Sequence, residues 1–248
     1  MKHFLSVVIP AYNEEKSLKA GNLSKVYEYL KSQSYPWEVV VVDDGSTDST
    51  LKLAKVLAGR FPGFRVLGEP HRGKGGAVIA GMLKAKGDIV LFTDMDQATP
   101  INELREVLPK FDAGYDIVIG SRSGRQGAPF IRKVMAYGFS ALRFLVLRLP
   151  YKDTQCGFKA FNRHATREIF RRMKVFSERM RTKGSSVTAG FDLEILYLAR
   201  KLGLKVAEIA VEWHHKEGTK VNPLKDSWEG FRDLIRVRIN ALTGKYRF

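Results

Sequence analysis

The sequence predicts an α/β fold built on a mostly parallel β-sheet, and three observations support this prediction. Short apolar runs typical of buried strands alternate with longer stretches of helical periodicity through the first 120 residues. Several of these runs end directly in acidic or glycine-rich loops. The length of 248 residues and the hydrophobic content of 44% are sufficient for one large α/β domain with a substantial core.

The predicted elements can be followed in order along the chain. The first half contains predicted strands at 5–9, 37–42, 64–67, 88–93 and 115–120. The helices predicted between them lie near 18–30, in the stretch that ends at 58, at 77–86 and at 101–110. The second half contains predicted helices at 131–149, 163–175, 190–202 and 228–239, a short strand leading to 161, and a strand at 205–211. This alternation predicts helices on both faces of the sheet and binding loops at the carboxyl ends of the strands.

Charge is distributed unevenly along the chain. Residues 1–120 contain 15 Lys+Arg and 15 Asp+Glu, so the formal net charge of +16 belongs entirely to residues 121–248. No acidic residue occurs between Asp116 and Asp153. A neutral half joined to a basic half indicates two tasks. The basic half is expected to meet an anionic partner, which is nucleic acid, a phosphorylated lipid or an anionic membrane surface.

The chain has one cysteine, Cys156, which excludes an intrachain disulfide and a cysteine-based zinc site. This usage is typical of a reducing compartment and favours a cytoplasmic location. The N-terminal apolar run is too short for a signal peptide, and no run of about 18 apolar residues predicts a transmembrane helix. Cys156 itself is predicted to be a buried structural residue. The neighbours His214 and His215 are not predicted to bind zinc, because adjacent side chains in extended chain point apart.

Two carboxylates, Asp94 and Asp96, follow the apolar run at 89–92. Side chains two residues apart in extended chain point the same way. The pair could therefore share one hard divalent cation, Mg²⁺ or Mn²⁺, together with substrate phosphates. The alternative is a loop whose aspartates merely cap the helix that starts near Pro100.

Two further loops supply groups that suit a nucleotide. Asp43 and Asp44 follow the second predicted strand and could accept hydrogen bonds from a base edge or from ribose hydroxyls. Arg72 and Lys74 lie in a glycine-rich turn and could add cationic contacts to phosphates. The turn matches neither the phosphate-binding loop nor the dinucleotide fingerprint, so the alternative is a glycine-rich helix entry.

Taken together, four segments resemble glycosyltransferase family 2: Val7-Val-Ile-Pro-Ala-Tyr-Asn-Glu14, Val41-Val-Asp-Asp-Gly-Ser-Thr-Asp48, Arg72-Gly-Lys-Gly-Gly-Ala77 and Asp94-Met-Asp96. The segment Asp153-Thr-Gln-Cys-Gly-Phe-Lys159 narrows the resemblance to the branch that makes polyprenyl-phosphate sugars, the dolichyl-phosphate glucose and mannose synthases. The resemblance implies a single Rossmann-like domain of glycosyltransferase A type. Residues 1–120 would bind the donor nucleotide, and residues 121–248 would bind the acceptor and face the membrane.

The resemblance also implies roles for individual residues. The residues expected at the nucleotide are Pro10, Tyr12, Glu14, Asp43 and Asp94, with Asp44, Arg72 and Lys74 as further candidates. The metal would be held by Asp94 and Asp96, and Gln97 is a candidate for a third ligand. Asp192 is the candidate for a general base or for a residue that positions the acceptor. The alternative for Asp192 is a helix N-terminal carboxylate without a role in the reaction.

The implied reaction is an inverting transfer of a hexose from UDP-glucose or GDP-mannose to polyprenyl or dolichyl phosphate. A phosphate monoester has a second pKa of about 6, so the acceptor is already nucleophilic at neutral pH. The protein would then mainly align it and offset its charge. The candidates for holding the acceptor phosphate are Arg122, Arg132, Ser140 and Lys220. The alternative for the two arginines is a solvated surface charge.

The helix predicted at 131–149 has an apolar stripe that admits two interpretations. The residues of the stripe are Val134, Met135, Phe139, Leu142, Leu145, Val146 and Leu149, and those expected opposite it are Arg132, Lys133, Ser140 and Arg143. The stripe faces either the protein core or the lipid boundary, with the basic side chains toward head groups. The second interpretation predicts a peripheral enzyme on the cytoplasmic face of a membrane.

Two rival functions remain at this point. The basic half is compatible with a nucleic-acid-binding protein, although the sequence contains no zinc finger, RNP or KH signature. A family 2 enzyme with a soluble or polysaccharide acceptor is the second rival. The basic segment contains no acidic residue, which favours a lipid phosphate as the acceptor. Nucleic acid is not expected as a partner.

Overall fold

The computed structural model describes residues 3–122, 130–174, 190–214 and 223–246, with side chains for all of these except 130–137, 223–227 and 229. The elements in chain order are β1 (Leu5–Ala11), α1 (Glu15–Lys19), α2 (Asn22–Lys31), β2 (Trp37–Asp43), α3 (Thr50–Arg60), β3 (Phe64–Gly68), α4 (Gly73–Lys84), β4 (Ile89–Phe92), a 3-10 turn (Ile101–Glu103), α5 (Leu104–Asp112), β5 (Ile117–Arg122), α6 (Phe130–Leu147), β6 (Lys159–Asn162), α7 (Arg163–Arg172), α8 (Gly190–Lys201), β7 (Val206–Val211) and α9 (Pro223–Leu242).

Within the described residues, seven strands form one sheet in the order β3-β2-β1-β4-β6-β5-β7. The pairs β1–β2, β1–β4, β2–β3 and β5–β7 are parallel, which confirms the predicted fold class. The short strand β6 lies between β4 and β5 and is antiparallel to both. The first residue of β6, Lys159, therefore lies at the same edge of the sheet as the carboxyl ends of β1, β2, β4 and β5.

The strand residues alternate between two apolar layers, as the two-residue period of a strand requires. On one face, Val8 and Val42 pack with residues of α4, α7 and α8, and α6 and α9 contribute to the outer part of this layer. On the other face, Val7 and Val41 pack with residues of α1, α2, α3 and α5. The helices thus leave the carboxyl edge of the sheet to the loops.

The position of helix α6 corrects one prediction. Arg143 was expected on an outward basic face, yet it is only 4% exposed and donates to Ser140 Oγ, Thr154 Oγ1 and the Tyr151 carbonyl oxygen. Leu145 belongs to the predicted stripe, for which a core and a lipid orientation were both open, and it is 75% exposed. The physical reason lies in the helical period: Arg143 is four residues after Phe139 and three before Val146, so it shares their inward face, and its guanidinium finds acceptors in the following loop. Phe139, Leu142 and Val146 of the predicted stripe do pack against the core.

Large apolar side chains of α6 and α9 face solvent. On α6 these are Phe144 and Leu145, and on α9 they include Trp228 and Phe231, whose rings stack at 5.8 Å. Among the helices in the described residues, none combines the length and the apolarity needed to cross a bilayer.

Helix α4 begins earlier than the sequence predicts, at Gly73 rather than near Ala77. Its glycines allow a close approach to neighbouring groups, and this packing outweighs the poor helix propensity of glycine. A Cβ on Gly81 would overlap Val8 Cγ1 and would lie 2.9 Å from Val42 Cγ2. Gly81 therefore sets the distance between α4 and the sheet, and with it the position of the residues in the first turn of α4.

This close approach predicts opposite effects for two glycine-to-alanine changes. We expect Gly81→Ala to lower the free energy of unfolding by about 1–3 kcal/mol, because the β-branched valines beneath it are stiff and cannot move away. We expect Gly59→Ala, in α3 where a Cβ meets no atom within 4 Å, to raise it by roughly 0.5–1 kcal/mol. Urea denaturation of both variants checks this, and equal effects of the two changes would contradict the packing argument.

Candidate active site

The carboxylates predicted to bind metal lie at the carboxyl edge of the sheet. Asp94 forms an ion pair with Lys74, which comes from the first turn of α4. Burial would lower the pKa of Lys74, but the charges of Asp94, Asp192 and Asp96 outweigh burial and raise that pKa above its ordinary value. Asp96 Oδ1 accepts the N–H of Ala98 at 2.9 Å. The D-x-D motif and the glycine-rich helix entry therefore form one charged cluster, as the sequence predicts.

Gln97 folds back onto this cluster. Its backbone adopts φ +52°, a left-handed conformation that is uncommon for a residue other than glycine. Its side-chain Nε2 donates to the Asp94 carbonyl oxygen at 2.8 Å. Its Oε1 is buried without a hydrogen-bond partner among the described residues. A buried acceptor without a partner is costly, so this oxygen is available for a ligand or a cation.

The two aspartates after β2 have different surroundings. Asp43 is buried, and its Oδ2 accepts the N–H of Ser46 at 3.1 Å, whereas its Oδ1 has no partner among the described residues. Asp44 is fully engaged, because its Oδ1 accepts the N–H of Arg72 and its Oδ2 contacts His71 Nδ1, each at 2.8 Å. Asp43 therefore retains the free acceptor, and Asp44 joins the loop after β2 to the start of α4.

The loop after β1 lies beside these aspartates. The ring of Tyr12 stacks on His71 with centroids 4.1 Å apart. Glu14 accepts the Ser17 hydroxyl at 2.5 Å. Burial raises the pKa of Glu14 above its ordinary value against the effect of that hydrogen bond, and the charges of Asp96 and Asp94 raise it further. Glu14 is therefore electrostatically coupled to the D-x-D carboxylates.

Two predicted nucleotide residues have mainly structural contacts. Pro10 pairs with Val42 within the β1–β2 ladder. Arg72 Nη2 donates to Glu69 Oε2 at 2.6 Å, which turns at least part of the guanidinium toward the protein. Neither contact excludes a ligand near these residues, and their predicted role at the nucleotide stays a prediction.

Asp192, the predicted base or positioning residue, is paired with a lysine that the sequence argument left without a role. Lys159 Nζ donates to Asp192 Oδ1 at 2.6 Å and to the Cys156 carbonyl oxygen, and it lies 5.5 Å from the centre of the Phe92 ring. The Lys159 side chain is fully buried. The signal for it was present, because a lysine that opens an otherwise apolar strand needs a buried partner.

Asp192 belongs to the same electrostatic cluster as the D-x-D motif. Burial raises the pKa of Asp192 above its ordinary value, Lys159 and Lys74 oppose this shift, and Asp94 adds to it. The next carboxylate of the helix, Glu194, points elsewhere, since its Oε1 accepts the Lys174 N–H and the Tyr246 hydroxyl. Asp192 is therefore the carboxylate of α8 that faces the cluster.

Arg122, a predicted acceptor residue, is held by Asp153. Its Nε and Nη2 donate to the two carboxylate oxygens at 2.6 and 2.9 Å, and its guanidinium lies 5.7 Å from the centre of the Trp213 ring. Burial alone would raise the pKa of Asp153, but the hydrogen bonds and charge of Arg122 hold it below its ordinary value. The pair ties the end of β5 to the loop before β6.

The other acceptor candidates are only partly described. Ser140 Oγ accepts from Arg143 Nη2 at 3.0 Å, so its hydroxyl helps to hold α6 against the following loop. Arg132 lies in α6 but its side chain is outside the described residues, and so are Lys220 and His215. Cys156 is buried as predicted, with Thr99 Oγ1 3.8 Å from its sulfur. His214 contacts Glu212 at 3.0 Å.

A divalent cation is chemically compatible with this edge of the sheet. In the described part of the chain, no three His, Cys, Asp or Glu side chains gather into a complete set of metal ligands. Positive charge is nevertheless stabilised at this place. The ammonium group of Lys74 pairs with Asp94, Asp96 is the second carboxylate, and Gln97 adds an oxygen without a partner among the described residues. Mg²⁺ and Mn²⁺ sites of this kind are completed by water and substrate phosphates.

The chain is similar in sequence to known proteins. The profile of the family described as Glycosyl transferase family 2 matches residues 6–170. The chain is 36% identical over 264 residues to the dolichyl-phosphate beta-glucosyltransferase of Dictyostelium discoideum, covering 98% of this chain and 76% of that protein. It is 35% identical over 268 residues to the enzyme of the same name from Saccharomyces cerevisiae, covering 98% and 77%.

Solved structures share the fold. The glucosyl-3-phosphoglycerate synthase from Mycobacterium tuberculosis in complex with uridine-diphosphate superposes with a TM-score of 0.65 at 22% identity, covering 95% of this chain and 80% of that one. A complex of the same synthase with Mn²⁺, uridine-diphosphate-glucose and phosphoglyceric acid superposes with a TM-score of 0.60 at 21% identity and the same coverage. These likenesses show the glycosyltransferase A-type fold.

The Arg122–Asp153 pair predicts a pH-dependent contribution to stability. Because the pKa of Asp153 is lower in the folded than in the unfolded chain, its contribution is present above the unfolded value of about 3.9 and is lost as the pH falls through the folded value. We expect Asp153→Asn to lower the free energy of unfolding by about 1.5–3 kcal/mol near neutral pH. The difference from the wild type should shrink below about pH 4, as followed by urea denaturation across pH.

The matched control is Glu106→Gln, an exposed carboxylate whose nearest cation, Arg105, is 3.7 Å away. It should leave stability unchanged at every pH, because exposed ion pairs contribute little. A pH-independent effect of Asp153→Asn would show that the pair does not act through its charge.

Proposed function

The chain belongs to glycosyl transferase family 2, and on that premise we propose that it transfers glucose from UDP-glucose to dolichyl or a related polyprenyl phosphate, with inversion at the anomeric carbon. The proposal is supported by relatives named dolichyl-phosphate beta-glucosyltransferase, which match nearly the whole chain. These names favour glucose, and they do not support the alternative donor GDP-mannose. The observation that carries the proposal is the convergence of Asp43, Lys74, Asp94 and Asp192 at one edge of the sheet.

We assign the donor to residues 1–120. Asp43 would accept hydrogen bonds from the base or ribose through its free Oδ1, beside the stacked Tyr12 and His71. Lys74 would move its ammonium from Asp94 toward the diphosphate, where two phosphate charges replace one carboxylate. Glu14, Asp44 and Arg72 would shape the loops around the nucleotide.

Asp94 and Asp96, with Gln97 as a candidate third ligand, would hold Mg²⁺ or Mn²⁺ against the diphosphate. A divalent cation in this position supplies charge that stabilises the leaving diphosphate. A fold neighbour is known with Mn²⁺ and uridine-diphosphate-glucose, which makes manganese the natural first choice for a test.

The reaction needs little acid–base chemistry from the protein. An unprotonated oxygen of the acceptor phosphate forms a bond to the anomeric carbon while the bond from that carbon to the UDP oxygen breaks, and its electron pair leaves with UDP. The acceptor oxygen is available at neutral pH because its second pKa is about 6. Asp192 would therefore position the acceptor or the sugar, and Lys159 holds it toward the site.

We assign the acceptor to residues 121–248. Arg132 and Lys220 would contact the lipid phosphate. Arg122 and Ser140 would also contact it while keeping the hydrogen bonds that they make within the protein. The acceptor is confined to a bilayer, so the enzyme must reach the membrane surface. The net charge of +16 in this half, with exposed Phe144, Leu145, Trp228 and Phe231, supports peripheral attachment to an anionic surface. We propose the cytoplasmic face.

The donor and the metal can be tested together by calorimetry. We expect the wild type to bind UDP-glucose in the presence of Mn²⁺ and to bind GDP-mannose far more weakly. Asp96→Asn should keep the fold but weaken Mn²⁺-dependent UDP-glucose binding by at least about tenfold, because a charged metal contact is lost. Undiminished binding by Asp96→Asn would remove the metal site from this motif.

A second variant reaches the same carboxylates through packing. A Cβ on Gly157 would overlap Asp94 Oδ2 and would lie 2.6 Å from Asp94 Cγ, so Gly157→Ala should displace the carboxylate and weaken binding as Asp96→Asn does. Gly138→Ala, where a Cβ meets no atom within 4 Å, is the matched control and should bind normally.

The division between donor and acceptor halves has a separate test. We expect Arg132→Ala to raise the KM for a short-chain polyprenyl phosphate while the affinity for UDP-glucose stays within a few fold of the wild type. The change is confined to Arg132 because Arg122 also stabilises the fold through Asp153. If Arg132→Ala abolished UDP-glucose binding, the assignment of the acceptor to residues 121–248 would be wrong at this position.

A further inference from the structure

A groove with a strongly basic lining lies where α6, α8 and α9 meet. It has a volume of about 250 Å³. The residues that line it are Leu145, Val146, Arg148, Arg200, Lys201 and Arg238. Four of these six side chains are cations, and no acidic side chain lines the groove.

The groove is separate from the candidate active site. Asp192 lies in the first turn of α8, and Arg200 and Lys201 lie in its last turn. Eight residues of α-helix separate Asp192 from Arg200, which is a rise of about 12 Å. The groove is also on the opposite face of the sheet from α3, because α8 and α3 pack in different apolar layers. No step of the proposed transfer uses these four cations.

The positive charge of the groove has no counter-charge in the described part of the chain. None of Arg148, Arg200, Lys201 and Arg238 forms an ion pair there, and the nearest aromatic contact is that of Arg200 with the Tyr197 ring at 6.0 Å. The carboxyl ends of α6 and α8 offset part of this charge. Four like charges around one cavity still repel one another, and an anion in the groove would relieve that repulsion.

The backbone at the groove is unusual in the same place. Arg148 adopts φ +53° directly after the end of α6, a position that glycine or asparagine usually takes. A left-handed backbone conformation costs more free energy for an arginine than for a glycine. The side chain at this position is a cation, and it lines the groove.

Exposed apolar side chains border the cations. Leu145, which lines the groove together with Arg148, is 75% exposed. Leu242 is 71% exposed and lies four residues after Arg238 on the same face of α9. A nucleic-acid backbone would give these leucines no partner. A phosphate with acyl chains below it fits both kinds of side chain.

We propose that this groove docks the phosphate of an acidic phospholipid headgroup in a bilayer, while Leu145 and Leu242 enter the acyl boundary. The cations hold the phosphate at the interface and the leucines hold the protein at a fixed depth. This inference extends the proposed membrane association by naming a second contact away from the candidate active site, and it does not depend on the transfer reaction.

Vesicle sedimentation of the full chain tests the charge. Vesicles of phosphatidylcholine alone are compared with vesicles that also contain phosphatidic acid. We expect Arg200→Gln with Arg238→Gln to weaken partition into the acidic vesicles by roughly thirty-fold, because each basic residue near an anionic surface contributes about one kcal/mol. The control, Lys52→Gln with Lys55→Gln, removes the same charge from exposed positions on α3 and should partition as the wild type.

A second pair of variants tests the apolar contact. Leu145→Ser should weaken partition by on the order of tenfold, because a leucine side chain no longer leaves water. Val56→Ser, at an exposed apolar position of α3, should have no effect. All of these positions are at the surface, and a thermal melt of each variant confirms that it folds.

Several outcomes would overturn the inference. The inference is wrong if the Arg200/Arg238 variant binds acidic vesicles as strongly as the wild type. It is also wrong if the α3 control weakens binding as much as that variant does. Displacement from vesicles by inorganic phosphate would identify a free-anion site, and equally strong, Arg200-dependent binding of an RNA oligonucleotide would identify a nucleic-acid surface.

Glucose transfer to a short-chain polyprenyl phosphate in detergent is measured in parallel. We expect the groove variants to transfer at the wild-type rate. A wild type that binds acidic vesicles through these residues but transfers no glucose would contradict the proposed function and leave the groove intact.

Discussion

The buried ion pair between Lys159 and Asp192 is the constraint on which the arrangement of the site depends. A charged pair in the interior is tolerated only when its geometry is fixed and its remaining hydrogen-bonding groups are satisfied. Lys159 meets this condition through the Cys156 carbonyl oxygen and the face of the Phe92 ring. It can reach Asp192 only because β6 runs against its neighbours, which brings its first residue to the edge where the parallel strands end. One ammonium group thus joins the start of β6, the first turn of α8 and the loop that precedes β6.

The same loop explains in physical terms why the segment at 153–159 is so specific. Nearly every polar or small residue in it has a defined partner at the edge of the sheet: Asp153 with Arg122, Thr154 with Arg143, the Cys156 carbonyl with Lys159, and Gly157 with the Asp94 carboxylate. Glu208 accepts two backbone N–H groups at the start of the segment, those of Lys152 and Asp153. The segment therefore brings charged groups to the edge of the sheet and leaves room for the Asp94 carboxylate.

The sequence was sufficient to predict the local features of this site. It was not sufficient to predict the features that depend on strand direction and tertiary packing. The strands before Asp43 and Asp94 were predictable, because a buried parallel strand is a short apolar run and the carboxylates follow it directly. The antiparallel insertion of β6 was not, because a strand reads the same in either direction. Arg143 was placed on the wrong side of α6, although it is four residues after Phe139 and three before Val146 and so shares their face; its buried acceptors in the following loop were the part that the sequence did not show. The start of α4 at Gly73 was missed because close packing outweighs the propensity that the glycines suggest.

The electrostatics of the chain separate into two parts that composition alone cannot distinguish. At the site, three buried or half-buried cations have carboxylate partners: Lys74 pairs with Asp94, Lys159 with Asp192 and Arg122 with Asp153. Such pairing contributes no net charge, and it holds the side chains of the candidate site in place. The net charge of +16 must therefore reside on other side chains, and four of them meet at the groove between α6, α8 and α9. A potential of this kind acts over roughly a Debye length, so it selects the surface that the molecule approaches and has little effect on bond making. The unpaired charges of the basic half thus bear on the proposed contact with an anionic surface, and the paired charges at the edge of the sheet bear on the proposed transfer.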